Sequence, residues 1–221
     1  MKNRTAIVFG STGLVGKALV YELLKSERYA NIRLFVRNPS GFSGLEKIEE
    51  CITDFSRLED YQEMITGDDL FICLGTTIKK AGTITRMEEI DRDLPVAIAS
   101  LASTNSMERL AVISSIGAVD SASNYYLRIK GEMEKGLMKL KFRTLVILRP
   151  SILLGPRRER RTGEEFGKVM MQILGPFMIG RLAKYKGIEG TKVACAMVRA
   201  IDMNTGIKIL ESDEIQKISR N

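Results

Sequence analysis

Short apolar runs alternate with amphipathic stretches along the first 150 residues, and this alternation constrains the fold more than any other feature. Thr5–Phe9, Ile32–Val36, Leu70–Leu74, Leu110–Ile113 and Thr144–Leu148 are apolar on consecutive positions, and Ile48–Ile52 is a weaker run of the same kind. Strands without polar alternation must be covered on both faces, as in a parallel sheet. Between them, Leu14–Lys25, Leu58–Ile65, Pro95–Thr104 and Tyr125–Leu140 read as helices, with a Ser56…Glu59 capping box ahead of the second. Val193–Met203 reads as a further helix and Ile207–Leu210 as a last strand. Repeated βα units with right-handed crossovers make an α/β fold with a doubly wound, mostly parallel sheet of the Rossmann type. The expected organisation is a single domain over residues 1–221, with a small extension at about 151–205 lying toward any substrate.

Residue inventory removes several chemistries. The chain has no His, which excludes Ser-His-Asp hydrolysis, Cys-His proteolysis and His-ligated zinc. Its three Cys, at 51, 73 and 195, are too few and too scattered for a metal cluster or a disulfide framework, so no metal site is expected. No apolar run approaches the roughly 18 residues of a membrane span. Only Ala6–Phe9 is continuously apolar near the start, too short for a secretory leader, so the expectation is a cytoplasmic protein with its Cys as thiols. The net charge of +7 fits nucleic acid, an acidic membrane surface, an anionic small molecule or simply a solvated basic surface, and does not choose among them.

Gly10-Ser11-Thr12-Gly13-Leu14-Val15-Gly16 joins the first strand to the first helix. Glycines at this spacing serve a tight turn, a close backbone approach to a pyrophosphate and close helix packing. The helix N-terminus then offers unpaired N–H groups and a positive dipole end to that anion. The plain alternative is a structural turn that binds nothing. The end of the second strand bears on which dinucleotide. Asp or Glu about 20 residues past the turn is usual for NAD. Here Leu34-Phe35-Val36-Arg37-Asn38-Pro39 carries no acid, and Arg37 can grip a 2′-phosphate, so the expected cofactor is NADP. An exposed Arg at a strand end is the alternative.

Tyr126 and Lys130 stand four apart within a helix and project from one face. A lysine ammonium favours the neighbouring phenolate, which suits Tyr126 to pass a proton to or from a carbonyl or alcohol oxygen. Ser115 ends the preceding strand, where it can reach the same oxygen. The alternative is a packing Tyr beside a surface Lys. Tyr125 competes for the role but lacks a Lys four residues on.

Taken with Cys73-Leu74-Gly75-Thr76-Thr77, Lys80-Ala81-Gly82, Asp91-Arg92-Asp93, Ser114-Ser115, Lys130-Gly131-Glu132, Arg149-Pro150 and Arg157-x-Glu159-x-Arg161-x-Gly163-Glu164, these motifs run in order over about three quarters of the chain. In them the sequence resembles the atypical short-chain dehydrogenase/reductases, most of all the Tat-interacting-protein-like, or CC3, oxidoreductases. The resemblance implies an NADP-binding Rossmann domain with a Ser115–Tyr126–Lys130 catalytic set. It implies that Gly10, Ser11, Thr12, Gly13, Leu14, Val15 and Gly16 hold phosphates, that Arg37 holds the 2′-phosphate and that Asp54 lies near the adenine. Leu74, Gly75 and Thr76 would pass beneath the adenine ribose, and Lys130 would hold the nicotinamide ribose. Pro150, Ile152 and Leu153 would present backbone to the carboxamide, and Arg161 would reach back to the cofactor. No Asn in the middle helix matches the fourth member of the usual catalytic set.

Beyond Pro150 the pattern changes. Ser151–Arg161 is loop-like and basic, and Thr162-Gly163-Glu164-Glu165 is a capping box opening a Met-rich stretch to Ile179. Met170, Met171 and Met178 can line an adaptable apolar wall of a shallow pocket or simply belong to the core. Nothing names a substrate beyond a small carbonyl or alcohol. The leading expectation is an NADPH-dependent oxidoreductase; the rival is a non-catalytic NADPH-binding redox sensor acting through a protein partner. One basic loop, Arg157–Arg161, without an aromatic platform does not support nucleic-acid binding.

Overall fold

The computed structural model describes residues 3–155, 185–203 and 206–220. In chain order the elements are β1 (Arg4–Phe9), α1 (Leu14–Lys25), β2 (Tyr29–Val36), β3 (Ile48–Ile52), a 3-10 segment (Phe55–Met64), β4 (Asp69–Ile72), α2 (Ile78–Ala81) and α3 (Ile84–Glu88). A π turn (Glu89–Asp93) leads into α4 (Leu94–Thr104), followed by β5 (Arg109–Ile113), α5 (Tyr125–Met138), β6 (Thr144–Arg149), β7 (Leu153–Leu154), β8 (Ile188–Glu189), α6 (Gly190–Met203), β9 (Gly206–Glu211) and α7 (Ser212–Arg220). Seven of the described strands form one sheet in the order β3-β2-β1-β4-β5-β6-β9, with every neighbouring pair parallel. β7 and β8 make a separate parallel pair. The doubly wound Rossmann arrangement expected from the apolar runs is what the chain adopts.

Burial explains those runs. Ala6, Ile7, Val8 and Phe9 of β1 are all fully buried, because successive side chains enter opposite layers. Ala6 and Val8 join Val15, Leu19, Val193, Met197 and Ile201 beneath α1 and α6. Ile7 and Phe9 join Leu58, Ile98, Met133 and Leu137 beneath the 3-10 segment, α4 and α5. Each buried Val, Leu, Ile, Phe or Met among them contributes about 1.5–3 kcal/mol by leaving water. The N-terminal ends of the strands are pinned by fully buried Asp69, which accepts from the Tyr29 hydroxyl at 2.8 Å and from Arg109, with Arg4 3.5 Å away.

Three details depart from the sequence reading. The segment expected as a helix over Leu58–Ile65 is 3-10 structure kinked at Arg57, with only Leu58 buried. Its cap is not the Ser56…Glu59 box: Asp54 accepts from Ser56 N–H at 2.9 Å, the short reach that an Asp makes to a backbone two residues on. α2, α3, the π turn, β7, β8 and α7 were also not legible as periodic elements. The capping box at Thr162–Glu165 and Met170, Met171 and Met178 lie outside the described residues.

Candidate functional site

The sheet order reverses between β1 and β4, and the loops after these strands meet there, at the C-terminal edge where open α/β sheets bind ligands. Gly10 has φ +85°, and a Cβ on it would lie 2.7 Å from the carbonyl of Cys73. A Cβ on Gly16 would lie 2.0 Å from the carbonyl oxygen of Gly10. The fold itself therefore demands the first and third glycines. The middle one differs. Gly13 has φ −76°, and a Cβ there would meet only the Gly10 oxygen, at 3.4 Å, an ordinary contact. Its bare Cα keeps the space before the α1 N-terminus open.

That N-terminus has no side-chain cap and no acid in its first turn. Ser11 is fully buried, and its Oγ has no hydrogen-bond partner among the described residues. Val15 is core, and Leu14 packs on the Cα atoms of Gly155 and Gly190, so both can offer a ligand only their backbone. A cleft of about 130 Å³ runs from Gly10, Ser11 and Thr12 to Phe35, Val36, Arg37, Asn38, Pro39 and Phe55. Arg37 is exposed at its end and makes no ion pair among the described residues. Asp54, beside Phe55, uses one carboxylate oxygen on Ser56, whose N–H and hydroxyl hold the carboxyl below the usual carboxylate range.

The expected catalytic residues come from β5 and α5. Ser114 and Ser115 follow β5; Ser114 is buried, its Oγ without a partner among the described residues, while the Ser115 hydroxyl is part-exposed and 3.4 Å from the Ile116 carbonyl. The loop is drawn onto α5 by the Val119 N–H, which donates to the Leu127 carbonyl at 3.3 Å. Gly131 permits this, since a Cβ there would lie 2.2 Å from the Val119 carbonyl carbon. Asn124 caps α5 by accepting from Leu127 N–H at 3.1 Å. The two tyrosines are separated by their partners. Tyr125 donates to Glu88 and stacks under Arg128, 4.9 Å from its ring centre. The Tyr126 hydroxyl makes no hydrogen bond among the described residues.

Lys130 is buried, with its side chain 2% exposed, and its Nζ lies 2.8 Å from Oδ1 of fully buried Asp91. The other Asp91 oxygen accepts from Thr76 N–H at 2.9 Å. Burial pulls the Lys130 ammonium down, but the charge of Asp91, aided by Tyr126 and Glu134, holds it above the ordinary lysine value. Gly75 roofs the pair: a Cβ there would lie 3.3 Å from Asp91 Oδ1 and 3.9 Å from Lys130 Nζ. Asp91 was visible in the sequence only as a generic acid. The signal that marks it is a carboxylate within the apolar frame of Ile90, Leu94 and Ile98.

After β6, buried Pro150 accepts from Ile116 N–H at 3.1 Å, joining this strand end to the Ser115 loop. Ile152 accepts from Ile188 N–H at 2.9 Å, and Leu153 pairs with Ile188 in β7–β8. This segment is thus held beside Leu14 and the glycine turn. Arg161 and the Arg157–Arg161 loop lie outside the described residues.

Residues 10–170 match the family described as NAD(P)H-binding. The chain belongs to the NAD(P)H-binding family. It is 35% identical to the protein HTATIP2 of Rattus norvegicus over 167 residues, covering 74% of this chain and 69% of that protein. The resemblance to Tat-interacting-protein-like proteins is thereby borne out. It is also 31% identical to "Protein FMP52, mitochondrial" of Eremothecium gossypii over 218 residues, 95% of each chain. Among solved structures, MoeE5 in complex with UDP-glucose and NAD superposes with a TM-score of 0.70 at 15% identity, covering 97% of this chain and 80% of that one. A putative NAD-dependent epimerase/dehydratase from Bacillus halodurans gives 0.69 at 18% identity over 98% and 99%. The family is NAD(P)H-binding, and the fold is the one that these NAD-binding structures share.

The same comparisons overturn the cytoplasmic expectation, since relatives from several fungi carry the word mitochondrial in their names. That expectation rested on the lack of an apolar leader. Mitochondrial import sequences are amphipathic and Arg-rich, so the missing apolar stretch says nothing against that compartment. Among the described residues no helix is long and apolar enough to cross a membrane.

Proposed function

We propose that the protein is an NADPH-dependent oxidoreductase acting on a small carbonyl or alcohol. The observation that carries this reading is a buried lysine kept charged by Asp91, four residues after a tyrosine whose hydroxyl has no partner among the described residues. The glycine turn fits a dinucleotide: the space before Gly13 is open, and buried Ser11 Oγ awaits an acceptor or donor. In this reading the backbone of Ser11–Val15 and Gly16 receives the pyrophosphate at the α1 N-terminus. Arg37 takes the 2′-phosphate as a planar fork, which favours NADPH over NADH. Asp54, Leu74, Gly75 and Thr76 border the adenosine half, and Lys130, Pro150, Ile152 and Leu153 the nicotinamide half.

Bound NADPH supplies the hydride. Tyr126 Oη gives its proton to the carbonyl oxygen as the alcohol forms, and takes it back in the reverse direction. Ser115 Oγ donates to the same oxygen and fixes its position. Lys130 Nζ favours the phenolate that remains on Tyr126 and orients the ribose. The test is calorimetric titration with NADPH and NADH, followed by a carbonyl panel monitored by NADPH absorbance. NADPH binding with turnover supports the reading; no binding of either dinucleotide, or binding with no turnover on any carbonyl, removes it. The names of the fungal relatives make the mitochondrion the compartment in which to seek the substrate.

A further inference from the structure

We propose that Asp91 is a positioning residue for Lys130, fixing where its ammonium sits. The inference rests on the role given to Lys130 above and adds the residue through which that role is exerted.

The geometry is specific. A lysine ammonium has three N–H donors. Asp91 Oδ1 lies 2.8 Å from Nζ as the opposite charge of a buried ion pair. No hydrogen bond to Nζ is made among the described residues, and donors so deeply buried need partners. Asp91 cannot swing to follow Lys130, because its second oxygen is held by Thr76 N–H at 2.9 Å. Its backbone is held too. Asp91 is the middle residue of the π turn Glu89–Asp93, and Pro95 stands four residues on. Pro95 has no N–H to return to the Asp91 carbonyl, and its ring would press on that carbonyl in a regular helix. The wider turn accommodates this, and such turns recur at functional sites. The pair lies directly beneath exposed Gly75, where an added Cβ would stand 3.9 Å from Nζ.

The groups facing Lys130 are few. Asp91 comes from the π turn, and Tyr126 and Glu134 come from its own helix. Glu134 is itself bound by Arg149 at the end of β6. Gly75 and Thr76 bring no charge. Removing the Asp91 charge therefore leaves burial as the dominant influence, and a buried ammonium without its counter-charge loses its proton more easily.

The test uses Asp91→Asn and Asp91→Glu in the full chain, with lysines labelled at Cε for NMR and the Lys130 signal assigned by its loss in Lys130→Met. In the wild type Lys130 should titrate above the ordinary lysine value of about 10.4. In Asp91→Asn it should titrate at least about one unit below that value, since full burial can shift a lysine by several units. NADPH affinity at pH 8 should fall roughly 10- to 100-fold, the loss expected for a hydrogen bond to a charged group, and recover in part at lower pH as Lys130 regains its proton. Asp91→Glu should keep the titration high and still bind NADPH more weakly, because the longer side chain moves Nζ. An Asp91→Asn protein with wild-type titration and affinity overturns the proposal. So does a wild-type Lys130 that titrates below the ordinary value, a reading that stands even if both variants fail to fold. The titration needs no cofactor or substrate, so a protein that reduces no carbonyl would count against the proposed activity and not against the Asp91–Lys130 relationship.

Discussion

Glu134 lies one helical turn beyond Lys130 and grips Arg149 at the end of β6 through two hydrogen bonds, one of 2.9 Å from Nε. The Glu134 side chain is 3% exposed and that of Arg149 is 20% exposed. This fork fastens α5 to the strand whose next residue, Pro150, holds the Ser115 loop through Ile116. Removing one partner of such a pair strands a buried charge. Glu134→Ala should cost about 3 kcal/mol, the low end for a buried pair because Arg149 keeps some water. Denaturant unfolding reads this directly, and a loss under about 1 kcal/mol would mean that the pair is only a surface contact.

The three glycines of the turn should separate by assay. Gly16→Ala sets a Cβ 2.0 Å from the Gly10 oxygen, and neither backbone can yield. It should destabilise by about 3 kcal/mol or more, the top of the overpacking range. Gly13→Val meets no such neighbour, so its melting temperature should stay near wild type while NADPH binding is lost. A Gly13→Val protein that binds NADPH with unaltered affinity would move the cofactor away from this turn.

The contrast between these glycines shows what the sequence carried. The turn, the strands and Tyr126–Lys130 were legible because each depends on local spacing or on runs of apolar residues. α1 was read to its last residue, since Val15, Leu19, Val20 and Leu23 repeat at helical spacing above a buried face. Asp91 was not legible as Lys130's partner because the two are 39 positions apart and meet only when α5 and the π turn pack together. The 3-10 segment was misread because its cap, Asp54, lies outside the helical pattern and its single buried Leu58 sets no period. The compartment was misjudged because a leader was sought by hydrophobicity alone.

Arg37 is exposed at the end of the cleft that begins at Gly10, with no acid paired to it among the described residues. A guanidinium in that position pairs with a 2′-phosphate through two charge-assisted hydrogen bonds, which a neutral ribose hydroxyl cannot match. Arg37→Ala should weaken NADPH binding by about 1.5–3 kcal/mol and leave NADH nearly unchanged. Parallel titrations of both dinucleotides check this, and equal losses would show that Arg37 is not the 2′-phosphate ligand.

The last expectation is that turnover depends on Tyr126 and not on Tyr125. The two are adjacent at the start of α5, so their side chains diverge by about 100°. Tyr125 is committed elsewhere, donating to Glu88 beneath the Arg128 guanidinium, and its hydroxyl is pushed up by that carboxylate. A phenol held in its protonated form by an acceptor is poorly suited to give that proton to a substrate. Tyr126 has a hydroxyl unengaged among the described residues and shares a helix face with Lys130, whose ammonium stays charged beside Asp91. General acid catalysis is worth about 10²–10⁴ in rate, so Tyr126→Phe should lose that factor while NADPH binding persists. Tyr125→Phe should retain turnover, because it removes only a contact to Glu88. Lys130→Met should harm binding and turnover together, since Nζ serves both. Steady-state kinetics with calorimetry on the three variants separates these outcomes, and a Tyr126→Phe protein with undiminished turnover would end the catalytic assignment and leave cofactor sensing as the role of the site.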